Sequence, residues 1–167
     1  MQRLILLRHG KAERDSPSGD DFARRLTPRG AKDARQAGER LAEMGFRPDL
    51  ALVSTAARTR ETWEALKGVC PACEVRFHDD LYHAEAETVL ARVREAAGSS
   101  DALMVIGHNP GLHELVLRLL VEGGASPDLL QSARARFPTS AAAVFLFDGQ
   151  GRPVYDGLMT PPRGGYD

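Results

Sequence analysis

The chain has only two cysteines, almost no net charge and no long apolar run, and each shortage removes a class of protein. Cys70 and Cys73 make a lone C-P-A-C. A structural zinc needs four ligands, and no second C-x-x-C completes such a set. A thioredoxin-like pair sits after a strand and before a helix, whereas this one follows a helix-like segment and precedes a strand-like one. The expectation is two thiols in a connecting loop. Lys and Arg number 22 against 23 Asp and Glu, for a formal net charge of -1. No general field therefore draws the protein to nucleic acid or to an anionic membrane, and any affinity for anions must be local. The first apolar run, Leu4 to Leu7, is far shorter than the hydrophobic region of a signal peptide, and no stretch approaches bilayer-spanning length. A cytoplasmic monomer with no nucleic-acid or membrane partner is expected. Internal repeats and low-complexity linkers are absent too. No G-x-G-x-x-G or G-x-x-x-x-G-K-[ST] follows the first strand, which argues against a nucleotide-binding loop there.

What is present is one domain's worth of chain: 167 residues, 43% apolar, enough for a sizeable core over residues 1–167. Short apolar runs alternate with amphipathic ones, the pattern of βαβ units and a mainly parallel sheet. Strands are predicted at Leu4 to Leu7, Leu50 to Val53, Val75 to Phe77, Ala102 to Ile106, Ala142 to Phe147 and Val154 to Met159. A helix from Pro28 to Met44 opens with Thr27 as N-cap and Pro28 at N1, and stops at Gly45. Its apolar stripe is Ala34, Ala37, Leu41 and Met44. Further helices are predicted at Arg58 to Lys67, at Glu85 to Ala97, and around Leu112, Leu115, Val116, Leu119 and Leu120, ending before Gly123. Residues 13–26 form a polar loop, long for a βα connection and a natural place for function.

Three predicted strands end in chemically loaded residues. The first delivers Arg8, His9 and Gly10, the second Ser54 with Arg58 in the next helical turn, and the fourth Gly107, His108 and Asn109. The carboxyl ends of parallel strands share one edge, where ligands bind. Two arginines and two histidines meeting there repel one another unless an anion lies between them, and a phosphate meets that demand. With Asn109 as N-cap and Pro110 at N1, the following helix would aim its amides at the same crevice.

"RHG" after the first strand, "LTPRG" opening the first helix, "STAARTRET" after the second strand and "GHNPGL" after the fourth together resemble the histidine phosphatase superfamily. In its shortness and its "GHNPGLHEL" the chain is most similar to the SixA-type phosphohistidine phosphatases. The resemblance covers residues 2–147. It implies a three-layer α/β/α fold of the phosphoglycerate mutase type with about six strands. It also implies His9 as nucleophile, Arg8 and Arg58 on the phosphoryl oxygens, and His108 as second pocket histidine. A neutral His9 would attack phosphorus, with the flanking guanidiniums holding its pKa down. No metal or cofactor is required. The implied substrate is a phosphorylated protein such as a histidine-phosphotransfer domain.

Several positions stay open at this level. Arg24 or Arg25 is expected to reach phosphate, together with Asn109 and Ser54, while Thr139 and Ser140 are expected to border the pocket. The glutamate that larger relatives use as general acid has no clear counterpart in "HDDLYHAEAET", where Asp80, His83 and Glu85 are the candidates. An imidazole leaving group has a pKa near 6.5 and departs far more easily than an alkoxide, so a missing acid points to an N–P bond. His78 and His83 flank Asp79 and Asp80 without a spacing that would face them toward a shared metal. Competing functions are a phosphatase or mutase for a small metabolite, and a phosphate-binding adaptor without turnover.

Overall fold

Four consecutive apolar residues in the first strand, Leu4 to Leu7, are all fully buried, which requires cover on both faces of the sheet. The computed structural model describes residues 1–161, so the expected domain over 1–167 is described as far as Pro161. In chain order the elements are β1 (Arg3–Arg8), α1 (Pro28–Glu43), β2 (Leu50–Ser54), α2 (Ala57–Leu66), β3 (Glu74–His78), α3 (Ala86–Ala96), β4 (Ala102–Gly107), α4 (Gly111–Glu122), α5 (Pro127–Ala135), β5 (Ala142–Phe147) and β6 (Pro153–Met159). The six strands form one sheet in the order β3-β2-β4-β1-β5-β6. β1, β4, β2 and β3 pair in parallel, and β5 runs antiparallel to both β1 and β6.

Alternation along each strand sorts the core into two halves. Leu4, Leu6, Leu52 and Val105 pack with Val89 and Val93 of α3 and with Leu112, Leu115, Val116 and Leu119 of α4. Ile5, Leu7, Val53 and Ile106 pack with Ala37 and Leu41 of α1 and with Trp63 and Leu66 of α2. The result is the expected three layers. Thr27 caps α1 by accepting from the Gly30 amide at 2.9 Å, with Pro28 in the first turn. α5 was not expected, yet Ser126 and Pro127 repeat that signature, and the Ser126 hydroxyl accepts from the Leu129 amide at 3.2 Å. Cys70 and Cys73 are both free and lie between α2 and β3, in a connecting segment as expected. Among the described residues no helix is long and apolar enough to cross a membrane.

Candidate active site

Register brings the loaded strand ends together. Arg8 of β1 sits opposite Gly107 of β4, so His9 and His108 leave the sheet side by side. Their ring centroids are 5.2 Å apart at an interplanar angle of 55°. They line a cavity of about 280 Å³ with Arg8, Arg24, Arg58, Asn109 and Thr139, all anticipated from sequence, and with Lys11 and Asp21. A larger cavity of about 610 Å³ lies between α1 and the end of β6 and holds neither histidine. Ser140 borders that cavity instead of the histidine pocket, while its amide bonds the Arg8 and His9 carbonyls at 3.1 and 3.0 Å.

His9 is oriented by its own neighbour. Its Nδ1–H donates to the Gly10 carbonyl at 2.7 Å when the ring is neutral, which leaves the lone pair on Nε2. Burial pushes the His9 pKa down to about 3; the Gly10 carbonyl opposes that shift, and Arg58 and Arg8 reinforce it. The arginines therefore contribute less to neutrality than expected, because the ring is only 8% exposed and desolvation acts first. Gly10 also has a reason of its own. A Cβ there would stand 2.5 Å from the Gly30 carbonyl oxygen, so the tight approach is to the start of α1. The Gly10 amide donates to the Thr62 hydroxyl of α2 at 3.0 Å, tying this turn to the helix that carries Arg58.

His108 is also held neutral, at about 2, by burial first and then by its closeness to the His9 ring and the Arg58 charge. Its Nε2 hydrogen-bonds the Ser54 hydroxyl at 2.8 Å. Ser54 was expected on phosphate, but it is fully buried and is absent from the pocket lining. It orients the His108 ring from beneath. Asn109 is likewise not the side-chain cap of α4. Pro110 occupies the cap position with no side-chain cap bond, and the Asn109 amide instead donates to the Phe137 carbonyl at 2.8 Å. The same carbonyl accepts from Arg8 Nη1 at 3.1 Å, so the segment before β5 braces two pocket residues at once.

Arg24 reaches the pocket, and Arg25 turns away to pair with Glu61 at 3.2 Å. Of the three acid candidates only His83 lines the cavity. Asp80 is paired with Arg92 at 2.9 Å, and Glu85 is exposed at the start of α3. His83 has a φ of 50°, a left-handed conformation that costs a non-glycine residue about 1–2 kcal/mol. Its ring stacks on Tyr82 with centroids 4.1 Å apart, and its Nε2 lies 3.3 Å from both Arg58 Nη2 and Asp21 Oδ2.

Asp21 and Tyr82 were missed at the sequence level. Asp21 opens a one-turn 3₁₀ segment, Asp21–Ala23, in the long polar loop. Its carboxylate meets Arg24 at 2.8 Å, Arg58 at 3.1 Å and the Tyr82 hydroxyl at 2.5 Å. The available signal is the pair Asp20-Asp21 in the long polar loop, although a carboxylate is not the residue type that an anion site calls for. Among the described residues no group of three or more His, Cys, Asp or Glu side chains could hold a metal ion.

The arrangement can bind a phosphoryl group and offer it a neutral imidazole nitrogen. Comparison with known proteins agrees: the model for the Histidine phosphatase superfamily (branch 1) matches residues 4–88. The chain belongs to the histidine phosphatase superfamily. A solved structure described as a candidate phosphohistidine phosphatase SixA from Agrobacterium tumefaciens is 33% identical, covering 96% of this chain and 98% of that one, with a TM-score of 0.82. The protein histidine phosphatase SixA complexed with tungstate shares the fold at a TM-score of 0.74 and 24% identity, over 95% of this chain and 97% of that one. An uncharacterized protein of Mycobacterium tuberculosis is 32% identical over 90% of this chain and 93% of its own length. Phosphatase chemistry is the activity that this membership carries, on a phosphoglycerate mutase-like α/β fold.

Proposed function

We propose that the protein is a metal-independent phosphatase that removes the phosphoryl group from protein phosphohistidine through a phosphohistidine intermediate on His9. One observation carries this reading. Burial keeps His9 neutral, and the Gly10 carbonyl holds its proton on Nδ1 so that the lone pair is on Nε2, the form an imidazole needs to attack phosphorus. Nε2 bonds to phosphorus as the bond from phosphorus to the substrate imidazole breaks. Water then attacks phosphorus, the bond to Nε2 breaks, and inorganic phosphate leaves with His9 restored. Arg8, Arg58 and Arg24 supply planar donors for the oxygens that carry charge in the transition state, and His108 and Asn109 close the same pocket.

Asp21 is the one carboxylate lining the pocket among the described residues, and hydrogen bonds from Tyr82 and Arg24 hold it well below the ordinary carboxylate range. It is ionised and has no proton to give. His83 is then the single candidate from the acid-bearing segment within reach. An imidazole leaving group needs far less help than an alkoxide, which favours phosphohistidine over a phosphate ester. The expected phosphoprotein partner is a histidine-phosphotransfer domain, and the expected compartment is the cytoplasm.

The test is a panel of phosphohistidine protein, a phosphoserine peptide and sugar phosphates, with phosphoenzyme trapping after brief exposure to a phosphoramidate. Fast turnover of the phosphohistidine protein is expected, with label on His9 and none on His9→Ala. Faster turnover of an alkyl phosphate would overturn the substrate assignment. Phosphate binding without covalent label would make the protein an adaptor.

A further inference from the structure

A carboxylate stands inside a pocket otherwise built for an anion. Both terminal nitrogens of Arg58 are engaged by Asp21: Nη1 donates to its backbone carbonyl at 2.9 Å and Nη2 to its Oδ2 at 3.1 Å. The other Nη2 hydrogen faces His83 Nε2 at 3.3 Å. Arg24 gives Nη1 to Asp21 Oδ1 at 2.8 Å and Nε to the Glu13 carbonyl at 2.7 Å. A guanidinium has five N–H donors, so these contacts consume much of what two arginines can offer a phosphoryl group. Arg58 is only 4% exposed and has little freedom to swing toward a ligand without giving some of them up.

We propose that Asp21 is a resident competitor for the phosphoryl site, a carboxylate that holds Arg58 and Arg24 in the empty pocket and weakens the retention of inorganic phosphate once catalysis is complete. The inference rests on the phosphatase reading above and concerns the release of its product. A phosphate dianion wins the arginines through its greater charge and its additional oxygens, but it does so beside a fixed negative charge. Asp21 does not escape by taking up a proton, because Tyr82 and Arg24 stabilise its ionised form. A phosphorylated protein brings contacts beyond the pocket that offset this repulsion. Free phosphate has none, so the site discriminates against its own product.

The competing role for Asp21 is a brace that preorganises Arg58 for phosphate, and it predicts the opposite sign. Inorganic phosphate is titrated calorimetrically into wild type, Asp21→Asn and Asp21→Ala, with thermal melts to verify folding. Both variants are expected to bind phosphate about three- to tenfold tighter, the range for one like charge removed from a partly exposed site. Phosphate should then inhibit turnover at correspondingly lower concentrations. Unchanged or weaker binding by folded variants, with wild type binding normally, overturns this proposal alone. No phosphate binding by wild type and by both folded variants alike overturns the phosphatase reading and takes the proposal with it.

Discussion

Acid should destabilise this protein through its two pocket histidines before its carboxylates titrate. His9 and His108 are held neutral mainly by burial, at about 3 and about 2, against about 6.5 in an unfolded chain. Between those limits the unfolded state binds protons that the native state refuses. Stability therefore rises with pH across the window and is lost as pH falls below about 6.5. From about pH 7.5 to about pH 5, each ring removes about 2 kcal/mol, and the pair about 4 kcal/mol. That is a large share of the 5–15 kcal/mol that typically holds a domain together, roughly speaking. Asp21 acts in the same sense but at lower pH, since its contribution is present above the ordinary carboxylate pKa and is lost as pH falls from there toward its lowered value, below this window. His78, lowered mainly by partial burial, acts in the same sense as the pocket pair. The test must therefore compare slopes rather than absolute values. Urea denaturation of wild type, His108→Gln and the His9→Gln/His108→Gln double variant at several pH values gives those slopes. The double variant should lose about 4 kcal/mol less than wild type on acidification. Parallel profiles for the two proteins would refute the claim that burial keeps these rings neutral.

Two substitutions probe how the pocket is supported. Ser54→Ala leaves the buried His108 Nε2 without its hydroxyl partner, which should cost about 1–3 kcal/mol in a denaturant melt. It should also lower kcat more than it raises KM, because Ser54 orients a ring without touching phosphate. Gly30→Ala places a methyl group against the Lys11 carbonyl, and overpacking of this kind costs about 1–3 kcal/mol. Because Lys11 follows the His9-Gly10 turn, activity should fall along with the melting temperature, and full activity in a destabilised Gly30→Ala protein would separate the turn from the site.

The readable parts of this molecule are those where one residue type answers one local demand. Leu4 to Leu7 reads as a strand covered on both faces because nothing in it can face water. Thr27-Pro28 reads as a helix start because the hydroxyl and the missing amide hydrogen suit that position. Arg8, His9, Arg58 and His108 were assembled from sequence because parallel strands deliver their next residues to a common edge. The details that failed are contests between partners that only the fold brings together. Asn109 has the chemistry of an N-cap, but the Phe137 carbonyl, 28 residues away, is the partner it takes. Ser54 has the hydroxyl of a phosphate ligand, but the strand buries it under His108. α5 was overlooked although its Ser126-Pro127 start carries the same local signal that identified α1.

Asp21 is the pocket residue least legible in the sequence, because a carboxylate runs against the cationic character of its neighbours. Two arginines and two histidines at one edge call for an anion, and a ligand is the anion that their spacing in the sequence suggests. The fold supplies one from its own chain, through a loop whose conformation follows no strand or helix period. Asp20 caps the short turn by accepting from the Phe22 amide at 3.2 Å, and this places the Asp21 side chain against Arg24, Arg58 and Tyr82. A cationic pocket that must stay folded without its substrate needs a counter-charge in that state, for the same reason that buried charges elsewhere in proteins are paired. The same charge then opposes the ligand for which the pocket is built. Stability of the empty site and affinity of the filled one are coupled through a single carboxylate, and removing its charge should move the two in opposite directions.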